Sequence, residues 1–283
     1  MGVMAVTHKT IFETFREHSL DDWKKVLLKS AKTPAIQGCD FPRYTHRPIL
    51  GSATLKSGLD EAGNLYRLGK KYIDSINKEE GRYLDFGCGV GRIFRLFMKD
   101  FKAENMHGID PLEEFVHICE NDFPAEYQFS KIGMRPPTQI AGESIDLITA
   151  YSVFSHFSCI QATRWLEEFR RITRPGAILL LTTYGRGHIE YIDNSKMEDL
   201  PRGHQKQKEN IEISGGKEEV YRMFDLDEMM FFLGGATYGQ YDYGHAYLGE
   251  NFIRRVWGKY FDVVEVIDDY SSLEQILVVL RRT

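Results

Sequence analysis

The chain has 283 residues, 42% hydrophobic and 27% charged, which is the composition of a folded globular protein and the length of one large domain or of a core with a cap. Its 36 lysines and arginines against 41 aspartates and glutamates leave a net charge of −5, which speaks against a protein built chiefly to grip phosphate backbones and makes nucleic acid an unexpected partner. The longest aliphatic run, Ala177 to Leu181, falls far short of the roughly 20 apolar residues a bilayer needs, so no membrane partner is expected.

Ile11, Phe12 and Phe15, then Leu20, Trp23, Val26 and Leu27, recur at helical spacing and predict two amphipathic helices with Ser19 as the N-cap between them. Pro34, Gly38, Pro42, Pro48 and Gly51 predict a loop, and a third helix is expected over about 60–76. Residues 1–58 are accordingly expected to form a helical cap before a core running from 59 to 283. From Arg82 onward strand, turn and helix alternate. Strands are expected at 82–86, 105–110, 127–132, 145–150 and 177–183, and helices at 91–100, 112–121 and 159–172, the pattern of a doubly wound α/β sheet. Strands at 261–267 and 274–281 are joined by six residues, Asp268 to Leu273, too few for a parallel crossover, so they pair antiparallel if they pair at all. Between them and the fifth strand lie 77 residues, Tyr184 to Tyr260. The polar stretch from Gly185 to Gly216 reads by itself as a solvated loop. Its length favours a lid, and an insertion at about 185–256 is expected to form a substrate cap.

The densest local signal is Leu84-Asp85-Phe86-Gly87-Cys88-Gly89-Val90-Gly91-Arg92, where a strand gives way to a helix. Glycines there allow sharp turning and close approach to a ligand. A nicotinamide dinucleotide pattern would need glycine at the position of Arg92. Asp85 is a carboxylate in an apolar strand, costly unless a ligand ammonium, a water or loop amides pair with it. Asp110 ends the second strand. It can accept both hydroxyls of a ribose, or it can cap the helix that Pro111 would open; the glycine turn upstream favours the ribose.

Taken together, the glycine turn, His107-Gly-Ile-Asp-Pro111, the segment from Pro136 through Asp146 to Tyr-Ser-Val-Phe-Ser-His156-Phe, and Arg171-Ile-Thr-Arg-Pro-Gly176-Ala-Ile-Leu-Leu-Leu resemble four successive motifs of the class I S-adenosylmethionine-dependent methyltransferases. The resemblance covers residues 80–183. It implies a three-layer α/β/α sandwich with a seven-stranded, mostly parallel sheet closed by a C-terminal antiparallel hairpin, and S-adenosyl-L-methionine as cofactor. It further implies that Asp85, Gly87, Gly89 and Gly91 line the methionine part of that cofactor, that Asp110 holds its ribose, and that Pro111, Ile132 and Gly133 border its adenine. Ile145 stands where a phenylalanine usually precedes Asp146. Arg174 and Ala177 replace the lysine and second glycine of the usual Lys-Pro-Gly-Gly turn. Arg92 is a candidate partner for the cofactor carboxylate. Tyr151 follows the fourth strand at the edge where ligands of open α/β sheets bind. Asp146 is expected to play a structural part.

Methyl transfer from a sulfonium is a displacement helped by positioning and, for a hydroxyl acceptor, by a general base, for which histidine is suited. His245, within the run Tyr238-Gly-Gln-Tyr-Asp-Tyr-Gly-His-Ala-Tyr247, and His156 are the candidate catalytic residues, with His188 ranked below them. The tyrosines offer flat amphipathic area suited to a sugar or an aromatic ring. No H-E-x-x-H or comparable ligand cluster points to a metal. The expected reaction is methyl transfer to a small-molecule acceptor, a hydroxyl of a sugar or secondary metabolite. The alternatives are an RNA or protein acceptor, or a non-catalytic cofactor-binding protein of the same fold. The four cysteines, Cys39, Cys88, Cys119 and Cys159, form no C-x-x-C pair, and the opening residues lack a signal-peptide pattern and have Val6 where myristoylation needs Ser or Thr, so a reduced, cytoplasmic protein is expected.

Overall fold

Thr10 opens the first helix with a reciprocal cap. Its hydroxyl accepts from the Glu13 amide at 3.2 Å, while Glu13 Oε2 accepts from the Thr10 amide at 3.3 Å. The computed structural model describes residues 9–44, 54–234 and 243–283; Pro48, Gly51, Tyr238 and Tyr241 lie outside these. The chain falls into two units, 1–132 and 133–283.

In the first unit, α1 (Ile11–Phe15) and α2 (Leu20–Ser30) form as their spacing predicts, and Ser19 caps α2 by accepting from the Asp22 amide at 3.1 Å, a contact worth about 1 kcal/mol. Phe15 and Trp23 are buried and pack with Phe41, ring centroids 5.5–5.9 Å apart. The expected loop contains a small hairpin, β1 (Ala35–Ile36) and β2 (Cys39–Asp40), turned by Gln37 at φ +54° and Gly38 at φ +84°, the left-handed pair of a two-residue hairpin turn. α3 (Leu55–Ile73) starts earlier than predicted because Thr54 caps it. Then come β3 (Tyr83–Phe86), α4 (Phe94–Phe97), β4 (Met106–Asp110), α5 (Glu113–Asp122) and β5 (Gln128–Lys131). The helix expected over 91–100 is corrected to α4 and flanking turns. Gly91 at φ +74° breaks regular helix, and the amides mix four-residue bonds (Arg95 to Gly91) with three-residue ones (Leu96 to Ile93).

The second unit runs β6 (Ile145–Ala150), α6 (Cys159–Ile172), β7 (Thr173–Thr183), α7 (Arg186–Asn194), α8 (Arg202–Ile213), α9 (Lys217–Asp225), β8 (Met230–Leu233), β9 (Gly244–Tyr247), α10 (Glu250–Val256), β10 (Asp262–Ile267) and β11 (Ile276–Arg281). β7 begins four residues before the predicted 177. Ile145 pairs Thr173 and Leu147 already pairs Ile178, so a bulge containing Gly176 at φ +85° absorbs the extra chain. The solvated loop suggested by the polarity of 185–216 is also corrected. That stretch holds α7 and α8, which with α9 bury Ile189, Ile192, Leu200, Ile211, Val220 and Phe224 around Tyr184 and Tyr247.

Seven strands make one sheet in the order β10-β11-β7-β6-β3-β4-β5. β3, β4 and β5 pair parallel, as do β6 and β7, while β11 runs antiparallel to both β7 and β10. This is the expected mostly parallel sheet, flanked by helices and closed by a C-terminal antiparallel pair. Among the described residues no helix is long and apolar enough to cross a membrane.

Candidate active site

β3 is buried along its whole length and ends directly at the glycine turn. Gly87, Gly89 and Gly91 all have left-handed backbones, φ +71°, +54° and +74°, which side-chain-bearing residues rarely adopt. The amides of Gly87 and Cys88 both donate to the Ile109 carbonyl, at 2.8 and 3.1 Å, so the turn is pinned to the end of β4. A Cβ on Gly91 would lie 2.4 Å from the Phe123 ring. Asp85 is 1% exposed, one residue before the end of β3.

Asp110 stands at the end of β4, 5% exposed. Its Oδ2 accepts from the Gly89 amide at 2.9 Å and its Oδ1 from the Leu112 amide at 2.9 Å. Burial raises its pKa against the pull of those two amides. Leu112, not Asp110, is the N-cap residue of α5, so the carboxylate ties the glycine turn to the following loop rather than capping the helix. A carboxylate has about four acceptor sites, and two remain for hydroxyl donors. Three left-handed glycines without side chains beside such a carboxylate fit a nucleoside-bearing cofactor. Arg92 lies in the turn before α4, and its Nη1 donates to Glu61 Oε2 at 2.7 Å. Pro111 is half-buried, and Ile132 donates its amide to the Asp110 carbonyl at 3.1 Å. Gly133, exposed, opens the second unit.

In the second unit a cluster of imidazole and phenol rings gathers after β6 and β7. Tyr151 directly follows β6 and is half-buried. His156 lies in a short 3₁₀ turn beyond it, and its Nδ1–H donates to the Gly244 carbonyl at 2.7 Å. A neutral imidazole with Nδ1 protonated has its lone pair on Nε2. Burial lowers the pKa of His156 from 6.5, while the Gly244 bond pulls the other way. His245, on β9, has its ring centroid 5.6 Å from that of His156. Burial, then the charges of His156 and His204, lower its pKa to about 4.

His188, on α7, stacks on Tyr184 at 4.1 Å, and its Nε2 donates to Gln207 Oε1 at 2.7 Å. Tyr247 also donates to that oxygen at 3.0 Å, and Gln207 Nε2 donates to Tyr184 Oη at 3.4 Å. His188 is thus fixed inside a polar network, and burial lowers its pKa to about 4. His204 meets His188 edge-on at 5.3 Å. Sequence reasoning missed Tyr184, His204 and Gln207. The one available signal was the position of Tyr184 immediately after the fifth strand. Behind the cluster Ser152, at φ +58°, is fixed by its amide to Thr182 Oγ1 at 2.7 Å and by Gln275, whose Nε2 donates to Ser152 Oγ at 2.9 Å. Asp146 accepts from Arg174 at 2.7 Å, a structural pairing. Among the described residues no group of three His, Cys, Asp or Glu is placed to hold a metal ion.

Comparison with known proteins adds the family. Residues 59–228, more than half of the chain, match the family described as "Methyltransferase domain". The tRNA N(3)-methylcytidine methyltransferase trm140 of Schizosaccharomyces pombe is 26% identical over 161 residues, covering 53% of this chain and 50% of that protein. The chain therefore spans about half the length of this curated relative. Among solved structures, an S-adenosylmethionine-dependent methyltransferase from Clostridium acetobutylicum aligns over 92% of this chain and 98% of its own at a TM-score of 0.51 and 13% identity. A putative S-adenosylmethionine-dependent methyltransferase from Listeria monocytogenes aligns over 78% and 99% at 0.51 and 10%. These two likenesses concern the fold. With the family match, they close the question of class: the chain belongs to the methyltransferase-domain family and has an α/β fold like that of these S-adenosylmethionine-dependent methyltransferases.

Proposed function

We propose that the enzyme methylates an oxygen of a small or medium acceptor, a hydroxyl of a sugar or secondary metabolite, in the cytoplasm. The observation that carries this reading is the His156 Nδ1–H bond to the Gly244 carbonyl, which leaves an Nε2 lone pair among rings suited to a flat or cyclic acceptor. His156 takes the acceptor's proton at Nε2 as the oxygen attacks, and its lowered pKa keeps it neutral for that task near pH 7. S-adenosylmethionine, when bound, supplies a methyl group on a sulfonium. The glycine turn with Asp85, Gly87, Gly89 and Gly91 would seat its methionine portion, and Asp110 would take ribose hydroxyls on the acceptor sites left by Gly89 and Leu112. Pro111, Ile132 and Gly133 would border the adenine, and Tyr151 would line the same cofactor site. Arg92 would reach the carboxylate only by sharing itself with Glu61. In this reading the insertion at about 185–256 is the acceptor cap, and residues 1–58 form a second, helical cap.

An RNA acceptor is the second reading, favoured by the name of the yeast relative. The insertion's cations support it poorly. Lys206 pairs with Glu209, Lys217 with Glu190 and Asp193, and Lys208 donates to the carbonyls of Ile192, Asp193 and Ser195 at the end of α7. The deciding experiment offers radiolabelled S-adenosylmethionine with a panel of sugars and phenols, and separately with bulk tRNA at low and high salt. Label in a panel compound supports the proposal. Label confined to tRNA, with a steep loss at high salt, replaces it with the RNA reading.

A further inference from the structure

β9 and the residue before it touch His156 three times in succession. Tyr243 lays its ring parallel to the imidazole, centroids 5.0 Å apart and planes 13° from each other. Gly244 offers the carbonyl that holds Nδ1–H. His245 presents its own ring at 5.6 Å, tilted by 58°. Two sets of bonds hold the strip in place: β8 pairs with it at Phe232–His245 and Leu233–Gly244, and a bridge joins Tyr243 to Phe157, the residue after His156. Gly244 has no room for a side chain. A Cβ there would lie 2.0 Å from the Phe232 carbonyl oxygen and 3.0 Å from the Phe231 ring.

A free neutral imidazole prefers its proton on Nε2, the tautomer that could not accept a proton toward an acceptor on that side. The tautomer of a buried histidine is set by the bond its other nitrogen makes. We infer that β9 selects the Nδ1–H tautomer of His156 and that Gly244, through its carbonyl, is the positioning residue for the base; this rests on the proposal that His156 is that base. Gly244 is suited to the role because a glycine lets β9 lie close against β8 while its carbonyl faces the imidazole. Among the described residues the groups facing His156 include the Gly244 carbonyl and the rings of Tyr184, Tyr243 and His245. His245 in turn faces His156, His204 and Tyr184 and stays neutral down to about pH 4. The carbonyl is therefore the group that orients the base at neutral pH.

The test is long-range proton–nitrogen NMR of the whole protein labelled with ¹⁵N-histidine, at pH 7.5, with His156 assigned by its loss in His156→Gln. The expected spectrum shows His156 Nδ1 protonated and Nε2 bare. In Gly244→Ala the His156 pattern moves toward the Nε2–H tautomer while the His188 signals stay in place, which a general loosening of the fold would not produce. Turnover of the best acceptor from the sugar and phenol panel is expected to fall in this variant by about ten- to a hundredfold in kcat, within the range a general base supplies, with KM within about twofold. A wild-type spectrum with Nε2 protonated overturns the inference, whether or not Gly244→Ala folds. So does a folded Gly244→Ala enzyme with unchanged tautomer and kcat. A folded His156→Gln enzyme that keeps its kcat defeats the base reading instead, even where the tautomer is as expected.

Discussion

The glycine turn of the first unit and the ring cluster of the second are built on opposite plans. The turn works with main chain: three glycines within five residues give the backbone its shape, and Asp110 fastens it. The cluster works with side chains brought from positions 156, 184, 188, 204, 207 and 243–247, joined by hydrogen bonds and ring contacts between residues distant in sequence. A cofactor shared by a whole family can be met by a short local motif. An acceptor particular to one enzyme, which the proposed function places at the ring cluster, would be met by packing, much of it supplied by residues 188–247.

This division can be broken by experiment. The largest effect is expected at His156: replacement by alanine should lower kcat by about 10²–10⁴ and leave the calorimetric affinity for S-adenosylhomocysteine unchanged. A matching loss of cofactor affinity would show that the two regions do not divide the work in this way. Asp110→Ala should weaken S-adenosylhomocysteine binding about a hundredfold or more, through two hydrogen bonds to a charged acceptor worth about 1.5–3 kcal/mol each. An unchanged dissociation constant in a folded variant would remove the ribose role.

Acid should strike the second region first. His188 and His245 titrate at about 4 in the fold against 6.5 when free. Folding therefore favours their neutral forms, and this stability is complete above pH 6.5 and lost as the pH falls from there toward 4. Each histidine contributes at most about 1.4 kcal/mol per pH unit. Urea unfolding at pH 7.5, 6 and 5 measures it, and equal stabilities at all three would show that these rings are not desolvated. The smallest effects come from glycines. Gly91→Ala should cost about 1–3 kcal/mol, since its φ is +74° and the Phe123 ring blocks a Cβ. Gly203→Ala in α8, where nothing lies within 4 Å, should stabilise by about 0.4–1 kcal/mol. Urea midpoints moving the same way in both variants would contradict the local conformations.

The same contrast explains what could be read before the structure. The strands and the glycine turn were legible because short apolar runs and glycine spacing are local signals. The hairpin β1–β2 was hidden because two-residue strands carry no periodicity, and α4 was overextended because its apolar spacing does not reveal the turn imposed by Gly91. Helices α7 to α9 were obscured by composition. Each buries two or three residues, such as His188, Ile189 and Ile192 of α7 or Val220 and Phe224 of α9, among charged and polar neighbours that dominate its composition. His156 and His245 could be nominated separately, but the bond linking His156 to residue 244 crosses 88 positions and no spacing rule announces it. Gln207 shows the same limit from the other side. A glutamine in a polar helix reads as solvent-facing until Tyr184, His188 and Tyr247 close around it.

At the edge of the sheet two strands depend on one. β10 precedes β11 in the chain, yet β11 lies between β10 and β7. β10 can therefore join the sheet only through β11, which bridges it to the rest. Without β11, β7, with leucines at 179–181, would present an open apolar edge to other chains. A chain in which β11 is displaced thus loses two strands at once and turns an interior strand into a surface that aggregation can exploit.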